Sequence, residues 1–253
     1  MNKFIKIFFI LLFFSMAWVS KAATPFQDEK LHYVISYKWG LIHKDAGDAT
    51  LSLRRTGNNY DIMLAAKTKP WADKIYQVRD TLKGVLGVKD LKPLSYTKIT
   101  HEKGKFARDE IKYSFTGNKT TGVAKKIRIK DGKPTVSEKT LEADGPVYDM
   151  LSVFYYLRKL DYSQLNKNKI YTATVFSGSK KETIKIRSLG VEKIKLKNKT
   201  EQEAYHIKFN FTSNGGKKSS DDIDTWISLD NRHIPLYLVG RLPVGEVRAY
   251  YIP

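Results

Sequence analysis

The chain has no cysteine among its 253 residues. Disulfides, a thiolate nucleophile and cysteine-ligated zinc are therefore excluded, and the fold must be held by its core. Histidine is scarce: His32, His43, His101, His206 and His233 never fall at i, i+2 or i+4, so no local metal clip is written in the sequence. Gly-x-Ser-x-Gly is missing, which removes the nucleophile elbow, and so is the Gly-x-x-x-x-Gly-Lys-Ser/Thr phosphate loop. No cofactor is implied. The sequence also lacks internal repeats, low-complexity tracts and any Pro/Gly/Ser-rich linker.

Acidic residues are few, 26 against 45 lysines and arginines, for a formal charge of +19. The lysines are scattered, and the densest cluster, Lys125-Lys126-Ile127-Arg128-Ile129-Lys130, alternates charge with isoleucine like a one-sided strand. Such a charge suits a lipid, an anionic membrane surface or an acidic glycan as partner. Asp221-Asp222-Ile223-Asp224 lacks the spaced ligands, glycine and distal glutamate of a calcium loop, and reads as a solvated turn.

One long apolar run is present, Ile7 to Val19, preceded by Lys3 and Lys6 and followed by Ser20-Lys21-Ala22. A positive end, a short apolar middle and a small-x-small exit predict a signal peptide over 1–22. The run is short for a membrane span. The mature chain, Ala23 to Pro253, is then expected in the periplasm or outside the cell, where nucleic acid is not an expected partner. Its length fits a single β-rich domain.

Period-2 alternation dominates that chain. Leu31, Tyr33, Ile35, Tyr37 and Trp39 share one strand face, and the pattern returns at Tyr60-Ile62-Leu64, Ile111-Tyr113-Phe115 and Tyr205-Ile207-Phe209-Phe211. Turn residues separate the runs at Asp131-Gly132, Ser213-Asn214-Gly215-Gly216 and Asp230-Asn231. The expected fold is mainly β: roughly 12–15 strands in an antiparallel curved sheet or incomplete β-barrel. The last four strands, near 203–212, 222–229, 233–241 and 245–252, should form a meander. The stretch 131–145 marks either a seam between halves or a loop within one domain. Pro146 followed by Val147, Met150, Leu151, Phe154 and Leu157 predicts one main α-helix over 146–160, on the concave side of the sheet or across its mouth.

Candidate site residues are few. Asp149 and Ser152 share a polar stripe of that helix with Tyr156, and Asp149 is either a base or a helix anchor. Arg158 is the obvious long-range cation and fits the solvent side equally well. Arg79 and Asp80, adjacent in a strand, point to opposite faces. Trp226, Asp230 and Arg232 mark a strand–turn–strand that is explained equally well by core filling and turn chemistry. Two function classes stay open beside a non-enzymatic binding or envelope-maintenance protein with a lipid-like or glycan ligand in a β cavity. One is an envelope polysaccharide hydrolase or lyase using an Asp/Arg site. The other is a structural accessory subunit of an envelope complex. Convergence of these residues on a cavity would make them a site; dispersal would make them anchors.

In order along the chain, several pieces resemble an exported bacterial family known as domain of unknown function 3108. They are Phe26-x-x-Glu29-x-Leu31-x-Tyr33, Trp39-Gly40, Ala46-Gly47, Val78-Arg79-Asp80 and Leu91-x-Pro93. Further on come Asp149-x-Leu151-Ser152-x-x-Tyr155-x-x-Arg158 and the run Trp226, Ser228, Asp230, Arg232 and Pro235. The resemblance implies export and a β-rich architecture, and little about activity.

Overall fold

Alternating side chains place fifteen strands in one sheet in a computed structural model of the protein. The structure describes residues 26–253 except 103, 104, 131, 214–216, 218 and 243. The expected leader, 1–22, and the turn residues at 131 and 214–216 lie outside the described residues. The first eight strands are β1 (Glu29–Trp39), β2 (Ile42–Thr56), β3 (Asn59–Thr68), β4 (Val78–Gly87), β5 (Pro93–Glu102), β6 (Lys105–Thr116), β7 (Lys119–Lys130) and β8 (Lys133–Asp144). The remainder are β9 (Val147–Tyr148), β10 (Ile170–Ser177), β11 (Lys180–Lys195), β12 (Glu201–Ser213), β13 (Ile223–Ser228), β14 (Pro235–Arg241) and β15 (Glu246–Ile252).

Neighbours in sequence pair antiparallel, and β15 pairs with β1. The sheet order runs from β8 back to β1, then β15 back to β9, and only β9–β10 is parallel. Its two edges, β8 and β9, are joined by Gly145-Pro146, so a nearly closed barrel-like sheet has its seam there. Side chains rather than a ladder close the seam. Val175 and Phe176 point to opposite faces of β10, yet both are buried. Val175 belongs to the core beneath β11–β13, whereas Phe176 stacks on Tyr113 with ring centroids 6.1 Å apart. A Cβ at Gly122 would lie 2.7 Å from the Phe176 ring, so the missing side chain is what admits it.

Two apolar clusters fill the interior. One gathers residues mainly of β1–β8, joined by Phe176, Ile194, Ala204 and Leu236 from later strands, and the other residues of β10–β13. Helix α2 (Ser152–Arg158) bridges them, with Leu151 and Tyr155 in the first and Val153 and Leu157 in the second. It is shorter than its periodicity predicts. Val147 and Tyr148 pair with Thr174 and Val175 as a strand, and Asp149 then ends the extended backbone. Its Oδ1 accepts the Leu151 and Ser152 N–H groups at 2.8 and 2.7 Å, so the helix begins after it. A second helix, α1 (Pro70–Tyr76), joins β3 to β4; seven residues are too few for its apolar spacing to stand out, although Pro70 occupies its first turn.

Candidate functional site

At the end of the barrel where β1, β3 and β14 finish, the inward positions carry small side chains: Ala46, Gly47 and Ala66. Gly47 is held to glycine, because a Cβ there would sit 2.7 Å from the Lys67 carbonyl oxygen. The space they leave is roofed by α1. The Lys69 N–H donates to the Ala46 carbonyl and Trp71 Nε1 donates to the Asp45 carbonyl, both at 2.8 Å. Arg79 clamps the other flank, donating to both Asp73 oxygens at 3.0 and 2.7 Å and to Thr68.

Beneath this roof lies a cavity of about 460 Å³ walled by Ile35, Tyr37, Trp71, Ile75, Val78 and Val247. A second space of about 210 Å³ shares Ile35 as a wall and is lined by Met150, Leu151 and Phe154 at α2. The first space, without the second, is already within the ~300–1,000 Å³ range of ligand pockets. A third, about 540 Å³, opens on the other side of Tyr76, with Glu102, Lys105 and Arg128 in its wall. Tyr76 thus lines both an apolar and a charged compartment.

The interior also holds polar atoms without protein partners. Asp149 Oδ2 and the Tyr96 and Tyr113 hydroxyls are buried and unsatisfied. Burial raises the Asp149 carboxyl to about 6, against its backbone hydrogen bonds, and burial followed by the nearby Asp149 raises both tyrosines. Ser152 Oγ accepts the Asp149 N–H at 2.7 Å, closing a reciprocal cap. Asp149 and Ser152 are anchors of α2. Asp80 is raised by burial and then by Glu102, and its Oδ1 is also unpartnered.

The remaining predicted residues lie elsewhere. Arg158, 2% exposed, grips Glu29 with two parallel hydrogen bonds at the far end of the barrel. Its Nε and Nη2 also donate to the Arg232 carbonyl at 3.2 and 3.0 Å, so Arg232 contributes backbone rather than charge. The guanidinium lies 4.7 Å from the Phe26 ring centroid. Asp230 Oδ1 accepts the Ser228 hydroxyl in the turn that delivers this carbonyl. Trp226 stands on the outer face, in a stacked ladder of His206, Trp226, Tyr237 and Tyr250 with centroid spacings of 4.4, 4.8 and 4.7 Å. His206 there meets Asp224 at 2.8 Å, a His–carboxylate pair on a sheet face packed beneath Trp226.

Arg79, Asp80, Asp149 and Arg158 are consequently dispersed over the roof, the interior and the far end. They do not form the carboxylate–arginine constellation that polysaccharide cleavage would need. The sequence reading missed Glu29 as the partner of Arg158 and missed Trp71, Ile75 and Tyr76 as cavity lining. The signal for the cavity was the run of small residues at Ala46, Gly47, Ala49 and Ala66. Among the described residues no group of three or more His, Asp or Glu is placed to hold a metal ion.

A solved structure similar to this chain is the crystal structure of a β-barrel-like protein of domain of unknown function DUF1849 from Brucella abortus. It is 11% identical, with a TM-score of 0.59, and the match covers 91% of this chain and 98% of that one. That likeness bears on fold alone. No curated protein matches the chain. The model of the family "Protein of unknown function (DUF3108)" matches residues 32–251. With most of the described barrel inside that match, the chain belongs to the DUF3108 family.

Proposed function

We propose that this chain is an exported, non-enzymatic binding protein of the cell envelope that holds the acyl chain of a lipid-like ligand under α1. The observation that carries the reading is the cavity of about 460 Å³, apolar in its walls and sharing Ile35 with a second apolar space. Walls of Ile35, Trp71, Ile75 and Val247 offer a sugar few hydrogen bonds, so a glycan fits them poorly. The N-terminal pattern supports export, and an amphiphile leaves room for its headgroup in the charged compartment beside Tyr76.

Each methylene moved from water into such walls is worth about 0.8 kcal/mol, or about fourfold in affinity. The mature chain is titrated with fatty acids and lysophospholipids of increasing chain length by displacement of an apolar dye, with native mass spectrometry for stoichiometry. Affinity should climb with chain length until the cavity is full. Ala66→Phe, which fills the cavity from β3, should weaken binding at least tenfold without lowering the melting temperature. Affinity independent of chain length, or untouched by Ala66→Phe, would sink the reading.

A further inference from the structure

The mouth of the cavity has a greasy rim. Trp39, Leu41 and Ile42 form the tip of the β1–β2 hairpin, Leu242 and Val244 that of the β14–β15 hairpin, and Ile75 projects from α1. All six are exposed, Leu41 completely. Tyr76, also exposed, adjoins Ile75 on α1, and Ile129 lines the charged compartment beside it; the remaining exposed large apolar side chains among the described residues are spread over other strands and loops. These three pieces are one surface. Tyr37 Oη donates to the Val244 carbonyl at 2.8 Å, and a Cβ at Gly245 (φ +77°) would strike the Lys38 carbonyl oxygen, so the two hairpin tips touch. Ile75 and Leu242 both line the cavity.

Cations ring the same end. Lys38, Lys44, Lys74 and Arg241 make no ion pair among the described residues, although Lys44 lies over the Trp71 ring. Of the acids at this end Asp73 pairs with Arg79, Asp45 with Lys197 and Glu246 with Arg248, Glu102 accepts from the Tyr76 hydroxyl, and Asp80 is half-buried. Trp39 has the amphipathic ring that favours a membrane–water interface. An apolar tip surrounded by unpaired cations complements an anionic bilayer: side chains enter the acyl boundary while lysines meet headgroup phosphates.

We infer that this rim docks on an anionic lipid bilayer and that the cavity opens directly onto it, so that a ligand passes between bilayer and barrel without crossing water. The inference rests on the proposed acyl-chain cavity for its purpose, although the docking itself is separately measurable. No strand need insert: the contact is made by two hairpin tips and one turn of helix.

The test uses the mature chain and vesicles of phosphatidylglycerol with phosphatidylethanolamine, read by flotation. Binding should appear on these vesicles, weaken with added salt, and be much weaker on phosphatidylcholine. Leu41→Asp should reduce it at least tenfold, and Lys38→Glu or Lys74→Glu by about fivefold or more. Leu41 and Lys74 are exposed and Lys38 is half-buried at the strand end, so melting temperature and dye loading should stay unchanged. Brominated acyl chains should quench Trp39, with Trp39→Phe removing that signal. Vesicle binding with no dye loading would leave docking standing and remove the cavity reading. Dye loading with no vesicle binding, or binding indifferent to Leu41→Asp, overturns the docking. A dimer that shields Trp39 and excludes vesicles overturns it in favour of a second copy.

Discussion

Replacing Arg158 with methionine removes the cation from the best-buried ion pair among the described residues while keeping most of its side-chain volume. Glu29 then stays at the far end of the barrel with no guanidinium, and the Arg232 carbonyl loses both donors. Stranding a buried charge in this way costs about 3–5 kcal/mol, and the lost stack on Phe26 adds roughly 0.5–1 kcal/mol. At about 2–4 °C per kcal/mol for a chain of this size, the melting temperature should fall by roughly 10 °C or more. Glu29→Met with Arg158→Met removes both charges together. What remains is an unpaired Arg232 carbonyl, about 1–3 kcal/mol, so the double variant should be more stable than Arg158→Met alone. Urea unfolding of the four proteins closes the cycle. If Arg158→Met costs under about 1 kcal/mol, or if the two single effects simply add, the pair is not the anchor described here.

Asp149 makes a pH prediction whose sign runs against the usual carboxylate. Its folded pKa, about 6, lies above its unfolded value, so the folded state holds the proton more tightly. The stabilisation is complete below pH 4 and is lost as pH rises through 6, by up to roughly 3 kcal/mol. Asp149→Asn keeps an oxygen for the Leu151 and Ser152 N–H groups, so stability measured from pH 4 to 7.5 should flatten and the variant should exceed wild type at pH 7.5; an unchanged slope would refute the assignment. At the seam, Gly122→Ala drives a methyl into the Phe176 ring and should cost about 1–3 kcal/mol in thermal or urea unfolding. A neutral effect there would mean that the seam is not packed as described.

Much of the barrel was readable because one-sided burial writes period 2 directly into the sequence. The β12–β15 meander lies within one or two residues of its predicted bounds. The helix was readable as an apolar stripe but not in its length. Val147 and Tyr148 fit that stripe equally well as helix, and their pairing with β10, more than twenty residues on, is a tertiary event. The same limit applies to function. Arg158 is conspicuous as a residue, yet Glu29 is 129 positions away and nothing local joins them. The cavity is harder still, since it consists of volume that Ala46, Gly47 and Ala66 fail to fill. Chemistry-bearing side chains drew attention, whereas the space was made by residues with almost none.

The strand order carries a consequence for how the chain finds its shape. β1 and β15 pair, with His32 opposite Ile252, so the two ends of the described barrel come together in the middle of the sheet. The free edges fall instead at Asp144 and Val147, three residues apart in the chain. If the chain were cut at Gly145-Pro146 and its original ends were joined, every ladder would connect strands consecutive along the new sequence. The natural order differs by a single long-range pairing, β1 with β15, which must wait until the whole barrel has been synthesised. That one closure concentrates the contact order of the fold, and until it forms the two arms of the sheet are separate meanders, each with an exposed edge.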